Sequence, residues 1–132
     1  YSFPYIVSVA FGSCLYGFIG IVLTYKICKR YFSKIISLFA AISIWWASPL
    51  PAYMYGHPVL SHTASIFLVA LFLYLFLKTK EKDSSIRWFS LGLVGGLVMI
   101  VRLQDSLFLL LLLSEFLRRI YLALKEKDTK IT

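Results

Sequence analysis

The chain alternates between long tracts without charged side chains and short clusters of basic residues. Residues 4–25 and 35–77 contain no Asp, Glu, Lys or Arg. An α-helix rises about 1.5 Å per residue and the hydrocarbon core of a bilayer is roughly 30 Å thick, so about 20 apolar residues cross it once. The first tract therefore predicts one membrane span, and the second, which is about twice as long, predicts two.

Prolines mark where the second tract breaks. Pro49 and Pro51 follow Ser48, and Pro58 comes seven residues later. Proline lacks a backbone donor and restricts the residue before it, so it ends helices but is tolerated in a first turn. The second span is therefore predicted at residues 31–48 and the third at 59–77.

The last apolar stretch has two interpretations, because Arg102 and Asp105 interrupt it. Either one helix crosses with both charges inside, or two short helices, 88–101 and 106–121, turn back at 102–105. Basic residues mark the cytoplasmic ends of spans. The hairpin leaves 13 of the 14 Lys and Arg residues on that side, whereas a single crossing does not. We therefore predict five spans, 4–25, 31–48, 59–77, 88–101 and 106–121, with the N-terminus outside.

Composition agrees with a membrane protein. Of 132 residues, 60% are hydrophobic and only 15% are charged, and the mean hydropathy is +0.81, which excludes an ordinary soluble domain. The basic residues that give the net charge of +8 form short clusters between long uncharged tracts, so the charge does not indicate nucleic-acid binding. The predicted fold is an all-α, polytopic transmembrane helix bundle whose last two spans form a short hairpin. Residues 1–132 form a single transmembrane region, expected to be an internal fragment because no initiator Met opens it.

Arg102 is the main candidate for chemistry. A charge at membrane depth is costly unless it is paired or wetted, and such residues often mark functional sites. Asp105, three residues on, is the expected partner, and Gln104 adds hydrogen-bonding groups. Two interpretations stay open: a structural pair that fixes the turn, and an anion site for a phosphate in which Asp105 orients the guanidinium.

A second polar cluster lies in the predicted outer loop and the start of the third span. It comprises Tyr53, Tyr55, His57, Ser61 and His62. A helix N-terminus attracts anions, so His62 is a candidate to share a phosphate with Arg102. A metal site at His57 and His62 is disfavoured, because their i, i+5 spacing does not place both rings on one helix face. Small-residue pairs such as Gly92 and Gly96 indicate close helix packing.

Three segments together resemble a known family. They are Pro-Leu-Pro-Ala-Tyr-Met-Tyr-Gly-His, then Leu-Ser-His-Thr-Ala-Ser-Ile-Phe, then Leu-Gly-Leu-Val-Gly-Gly-Leu-Val-Met-Ile-Val-Arg-Leu-Gln-Asp before a leucine-rich helix. This pattern, over residues 30–115, resembles GT-C type membrane glycosyltransferases, including the dolichyl-phosphate-mannose mannosyltransferases and bacterial relatives that use undecaprenyl-phosphate sugars.

The resemblance implies an enzyme that moves a sugar from a polyprenyl-phosphate carrier to a glycan, lipid or protein acceptor on the outer or lumenal face of the plasma membrane or endoplasmic reticulum. The family's catalytic acidic residue lies in the first outer loop, and this chain is expected to begin after it, so no catalytic residue is assigned. Donor-phosphate binding is expected at Arg102, His62 and His57. A polar cavity is expected from Gln104, Asp105, Tyr53, Tyr55 and Ser61.

No metal site, nucleic-acid partner or cofactor is required by the sequence, although it leaves room for a divalent metal. Two other functions stay open at this point. Broken helices with a charged turn also describe the substrate sites of transporters and permeases. In a non-catalytic scaffold subunit, Arg102 and Asp105 would clamp two helices together.

Overall fold

The computed structural model describes residues 3–56, 61–80 and 84–129, of which positions 123 and 126–129 are described by their backbone alone. Within these ranges the chain is helical and contains no strand. The helices are α1 Phe3–Cys28, α2 Lys34–Ala47, α3 His62–Lys78, α4 Ser85–Val101 and α5 Leu109–Thr129. A π-helical turn, Ala52–Gly56, lies between α2 and α3, and a 3-10 helix, Leu103–Phe108, joins α4 to α5.

The ends of α2 follow from local side-chain chemistry. Ser33 caps its N-terminus, where the hydroxyl accepts from the backbone N–H of Ile36 at 3.5 Å. The helix ends at Ala47, two residues before Pro49, where the sequence predicts a break. The hydroxyl of Ser48 then accepts from the backbone N–H of Leu50 at 3.3 Å, which closes the turn out of the helix.

α1 and α3 pack side by side and run in the same direction. Thr63 Oγ1 donates to Ser13 Oγ at 3.2 Å, and both residues are buried. Further along, a Cβ built on Gly20 would lie 3.3 Å from the Cα of Phe67, so the two backbones approach closely. Small residues on α1 thus permit this packing.

The apolar core lies between α3 and α4. Phe72, Leu91 and Val98 are at most 1% exposed, and Leu68 and Val94 complete the cluster. The two helices are antiparallel, because α3 begins near the end of α4 and ends near its start. For helices predicted to lie in a bilayer, close van der Waals packing stabilises this pair, because lipid is as apolar as these side chains.

The chain reverses at Arg102, so α4 and α5 form an antiparallel pair. Arg102 has extended backbone angles (φ −152°, ψ 117°), which excludes one continuous helix through residues 102–105. Trp88, near the start of α4, contacts Phe116 of α5, with ring centroids 6.1 Å apart. The second arm differs from the predicted helix at 106–121: it starts as a 3-10 helix at Leu103 and continues as α5 to Thr129.

Among the described helices, only α1, at 26 residues, is long and apolar enough to cross a membrane by itself. α2, α3 and α4 are apolar but have 14, 17 and 17 residues, so the five-span arrangement stays a prediction. Many large apolar side chains point outwards. Examples are Phe11, Trp46 and Ile100, which are 70%, 75% and 81% exposed. Such a surface is typical of helices that face lipid or further helices.

Candidate functional site

The hairpin turn after α4 faces the first turn of α3. Arg102 Nη1 donates to His62 Nδ1 at 2.8 Å, and Ser65 Oγ donates to Asp105 Oδ2 at 2.5 Å. Arginine can only donate, so Nδ1 of His62 accepts in this contact. Two side-chain hydrogen bonds, Arg102 to His62 and Ser65 to Asp105, therefore join the turn to α3.

The expected ion pair between Arg102 and Asp105 is not formed. Spacing of i, i+3 brings side chains together on a helix, but Arg102 is extended and Asp105 lies on the 3-10 helix that follows. Only their backbones meet, where the N–H of Asp105 donates to the carbonyl of Arg102 at 3.1 Å. Both side chains turn towards α3, where His62 and Ser65 lie on one face.

Tyr53 completes the polar cluster from a third element. Its ring stacks on the imidazole of His62, with centroids 4.0 Å apart and planes 18° apart. The π-helical turn that carries Tyr53 is fixed against α1: the thiol of Cys14 donates to the carbonyl of Met54 at 3.4 Å, and Met54 is 3% exposed. Arg102, His62 and Tyr53, all predicted from the sequence, thus lie in contact.

A cavity of about 430 Å³ extends from this turn along α3. Ser65, Arg102 and Asp105 line one end. Most of its remaining wall is apolar, formed by Ile27, Ile66, Val69, Ala70, Leu73 and Phe108, with Thr24 beside them. From Ser65 to Leu73 it follows α3 over eight residues, about 12 Å. The cavity is thus charged at one end and apolar along its length, which suits an amphiphile.

The charge of Arg102 has no carboxylate within ion-pairing distance among the described residues. Among the described residues, its side chain makes one hydrogen bond, to His62, and the residue is only partly buried. A guanidinium has five N–H donors, so several remain for an anion, and a planar pair of donors matches two phosphate oxygens.

The other predicted site residues lie away from this cluster. Gln104 and Ser61 are exposed, and Tyr55 is 65% exposed; none of them lines the cavity. His57 lies outside the described residues. In the described ranges no group of three or more His, Cys, Asp or Glu residues is placed to hold a metal ion.

A buried charged network at the opposite end of the hairpin was not predicted from the sequence. Arg87 Nη2 and Glu115 Oε2 are 2.7 Å apart, with side chains 2% and 5% exposed. Arg119 Nη2 donates to the other oxygen of Glu115 at 3.0 Å, and Arg87 Nε donates to Thr79 Oγ1 at 3.1 Å. The i, i+4 spacing of Glu115 and Arg119 was visible in the sequence, but their link to Arg87 depends on the hairpin.

Ser65 was also missed. It is 6% exposed within an apolar helix. Nothing in the sequence around this uncharged residue indicates that its hydroxyl donates to the carboxylate of Asp105, 40 residues later. A serine in such a helix usually satisfies its hydroxyl on the helix's own backbone, so its sequence context does not distinguish the two cases.

The fold and the site define a class: a helical, largely apolar protein with a charged turn, which carries Arg102 and Asp105, at one end of an amphiphile-shaped cavity. Residues 4–129, nearly the whole chain, match the family described as dolichyl-phosphate-mannose-protein mannosyltransferase. The chain belongs to this family, as the resemblance implies. Membership implies an integral membrane protein with mannosyltransferase-like glycosyltransferase activity. The chain matches no curated protein and no solved structure.

Proposed function

We propose that the chain is part of a membrane glycosyltransferase that takes its sugar from a polyprenyl-phosphate carrier, and that Arg102 binds the carrier's phosphate. The observation that carries the proposal is the partly buried guanidinium, which has no carboxylate partner among the described residues and lines one end of a mostly apolar cavity. Family membership favours a transferase over the transporter and scaffold alternatives.

The cavity supports this ligand class because a polyprenyl-phosphate sugar has a charged end and a long apolar end. The phosphate would lie at Arg102, and the first isoprene units would lie along Ile66, Val69 and Leu73. The first turn of α3 supports the proposal: it carries no acidic residue, and the N-terminus of a helix favours an anion beside His62.

The reaction would move one glycosyl group. The bond between the sugar's anomeric carbon and the phosphate oxygen breaks, and the bonding electrons leave with the phosphate. The acceptor's hydroxyl oxygen bonds to the anomeric carbon and gives its proton to a base. No described residue is assigned as that base. As the phosphate gains negative charge, a fixed guanidinium stabilises the transition state more than the ground state.

The proposal is tested with Arg102→Lys and Arg102→Ala in the protein expressed from its complete coding sequence. Lysine keeps the charge but loses the planar pair of donors, so we expect partial donor binding and reduced turnover. Alanine should lose about 2 to 5 kcal/mol of binding or transition-state stabilisation. Gln104→Ala is the matched control, since it alters an exposed neighbour in the same turn.

Thermal stability is measured on the same variants. If Arg102 acts only as a clamp on His62, Arg102→Ala lowers the melting temperature while donor affinity of the folded fraction is unchanged. That pattern would remove the phosphate role and leave the structural one.

A further inference from the structure

A second cationic site lies at the other end of the bundle. A cleft of about 370 Å³ is lined by Lys26, Lys29, Arg30, Tyr74 and Lys78, and we call these five residues the basic cleft. Four of the five are cations, and none of the described residues that line the cleft is acidic. Nothing in the proposed donor site uses these residues.

The fold builds this cleft from two distant parts of the sequence. Lys26 lies in the last turn of α1, and Lys78 in the last turn of α3. Because α1 and α3 run parallel, their C-terminal ends lie side by side. The Tyr74 ring makes cation–π contacts with two of these charges: its centroid is 6.0 Å from Lys26 Nζ and 5.4 Å from Lys78 Nζ.

Membrane topology alone does not require this arrangement. A preference for basic residues at cytoplasmic span ends is satisfied wherever in the loops they lie. Placing four of them around one concave cleft increases their mutual repulsion, which an anion bound in the cleft would relieve. The cleft also lies where two apolar helices end, the depth expected for lipid headgroups.

We propose that the basic cleft binds the phosphate headgroup of an anionic lipid, with highest affinity for a phosphomonoester such as phosphatidate. A phosphomonoester carries close to two negative charges near neutral pH and accepts several charge-assisted hydrogen bonds. The site is separate from the donor site: His62 and Lys78 are sixteen residues apart along α3, or about 24 Å.

Titration of fluorescent phosphatidate into the purified protein in neutral detergent tests the proposal. Lys29→Gln with Lys78→Gln removes two charges from the cleft at exposed positions. Lys34→Gln with Arg118→Gln removes two exposed charges outside it. We expect the first pair to weaken binding by roughly 10-fold or more and the second by less than about 2-fold, because only the first removes direct contacts.

Two further measurements identify the ligand and distinguish this site from the donor site. Glycerol 3-phosphate, added at the same concentration as phosphatidate, should not displace the bound lipid. Displacement by glycerol 3-phosphate as effective as that by unlabelled phosphatidate would overturn the lipid assignment. Arg102→Ala should leave phosphatidate binding intact, and Lys29→Gln with Lys78→Gln should leave polyprenyl-phosphate binding intact. Equal losses in the two charge-matched pairs would show a general charge effect and overturn the cleft as a site.

Discussion

At the scale of single residues, His62 is the partner that determines where the Arg102 guanidinium points. The Nη1 to Nδ1 contact of 2.8 Å holds one edge of the guanidinium against α3, and stacking on Tyr53 holds the imidazole. We therefore propose that His62 is a positioning residue, whose effect on a donor phosphate passes through Arg102.

We expect His62→Ala to weaken donor affinity by roughly 2- to 12-fold, the range for loss of one net hydrogen bond. His62→Asn should restore part of this loss, because its side-chain oxygen can accept from Arg102. Donor affinity and melting temperature are measured for both variants, with Ser61→Ala, an exposed neighbour, as control. Equal affinities for Ala, Asn and the unchanged protein would contradict a positioning role.

The sequence predicted Arg102 as a site residue with His62 near it, but it assigned Asp105 as the side-chain partner. Charge at membrane depth is visible in sequence, because Arg102 and Asp105 interrupt an apolar tract. The local pairing inferred from i, i+3 spacing assumed helical backbone, and the extended angles of Arg102 remove that geometry. The side chain of Arg102 instead contacts His62, 40 residues away, and this contact depends on how α3 and α4 pack.

At the scale of helices, the packing of α1 on α3 depends on glycines that face the neighbouring backbone. A Cβ on Gly20 would meet Phe67 Cα at 3.3 Å, whereas one on Gly12 meets nothing within 4 Å. The predicted Gly92 and Gly96 pair also faces open space in the described structure, and Gly95 between them is the glycine that contacts Leu109. Spacing alone did not show which small residues are in contact.

Gly20→Val should therefore separate α1 from α3 and destabilise the protein by about 1 to 3 kcal/mol, the usual cost of overpacking. Gly12→Val carries the same change in intrinsic helix propensity without the clash. Thermal unfolding in detergent compares the two. Equal melting temperatures would contradict the close approach of the two helices.

The α4 and α5 pair depends on the buried Glu115 carboxylate, which both Arg87 and Arg119 contact. Glu115→Ala leaves Arg87 buried without a carboxylate, and removing one partner of a buried ion pair costs about 3 to 5 kcal/mol. Arg118→Ala, at the exposed neighbouring position, should have little effect.

Unfolding free energies of these variants give the comparison. Replacing both buried partners, Arg87→Met with Glu115→Leu, should recover much of the loss, since the charge that remains, on Arg119, is partly exposed to solvent. Failure of Glu115→Ala to destabilise the protein more than Arg118→Ala would show that the network contributes little.

At the scale of the whole molecule, the helix directions bring the basic clusters to one end. Lys26 and Lys78 both line the basic cleft. Arg87, near the start of α4, lies at the same end, because it donates to Thr79, the residue after Lys78. Arg102 lies at the opposite end of α4. The sequence predicted these alternating directions from charge distribution alone, because charged loops and apolar helices separate strongly in a bilayer. Helix ends were less predictable, as the 3-10 start of the last arm shows.

We predict that Phe3 and Gln104 face outside and that Lys29 and Lys127 face the cytoplasm. Single cysteines at these positions, in a background without Cys14 and Cys28, are labelled with an impermeant thiol reagent in intact cells. Labelling at positions 3 and 104 and protection at 29 and 127 is the expected result. The reverse pattern would invert the topology, and labelling of all four would contradict the alternating arrangement.

The most direct test of the central claim compares two ligands that differ only by the phosphate, polyprenyl phosphate and polyprenol. Dissociation constants are measured for both ligands with the unchanged protein, Arg102→Ala and the control Gln104→Ala. We predict that the unchanged protein and the control prefer the phosphate by at least about 30-fold, and that Arg102→Ala reduces this preference to a few-fold while its affinity for polyprenol is unchanged. An Arg102→Ala protein that keeps the full preference for the phosphate would contradict the assignment of Arg102 as the phosphate-binding residue.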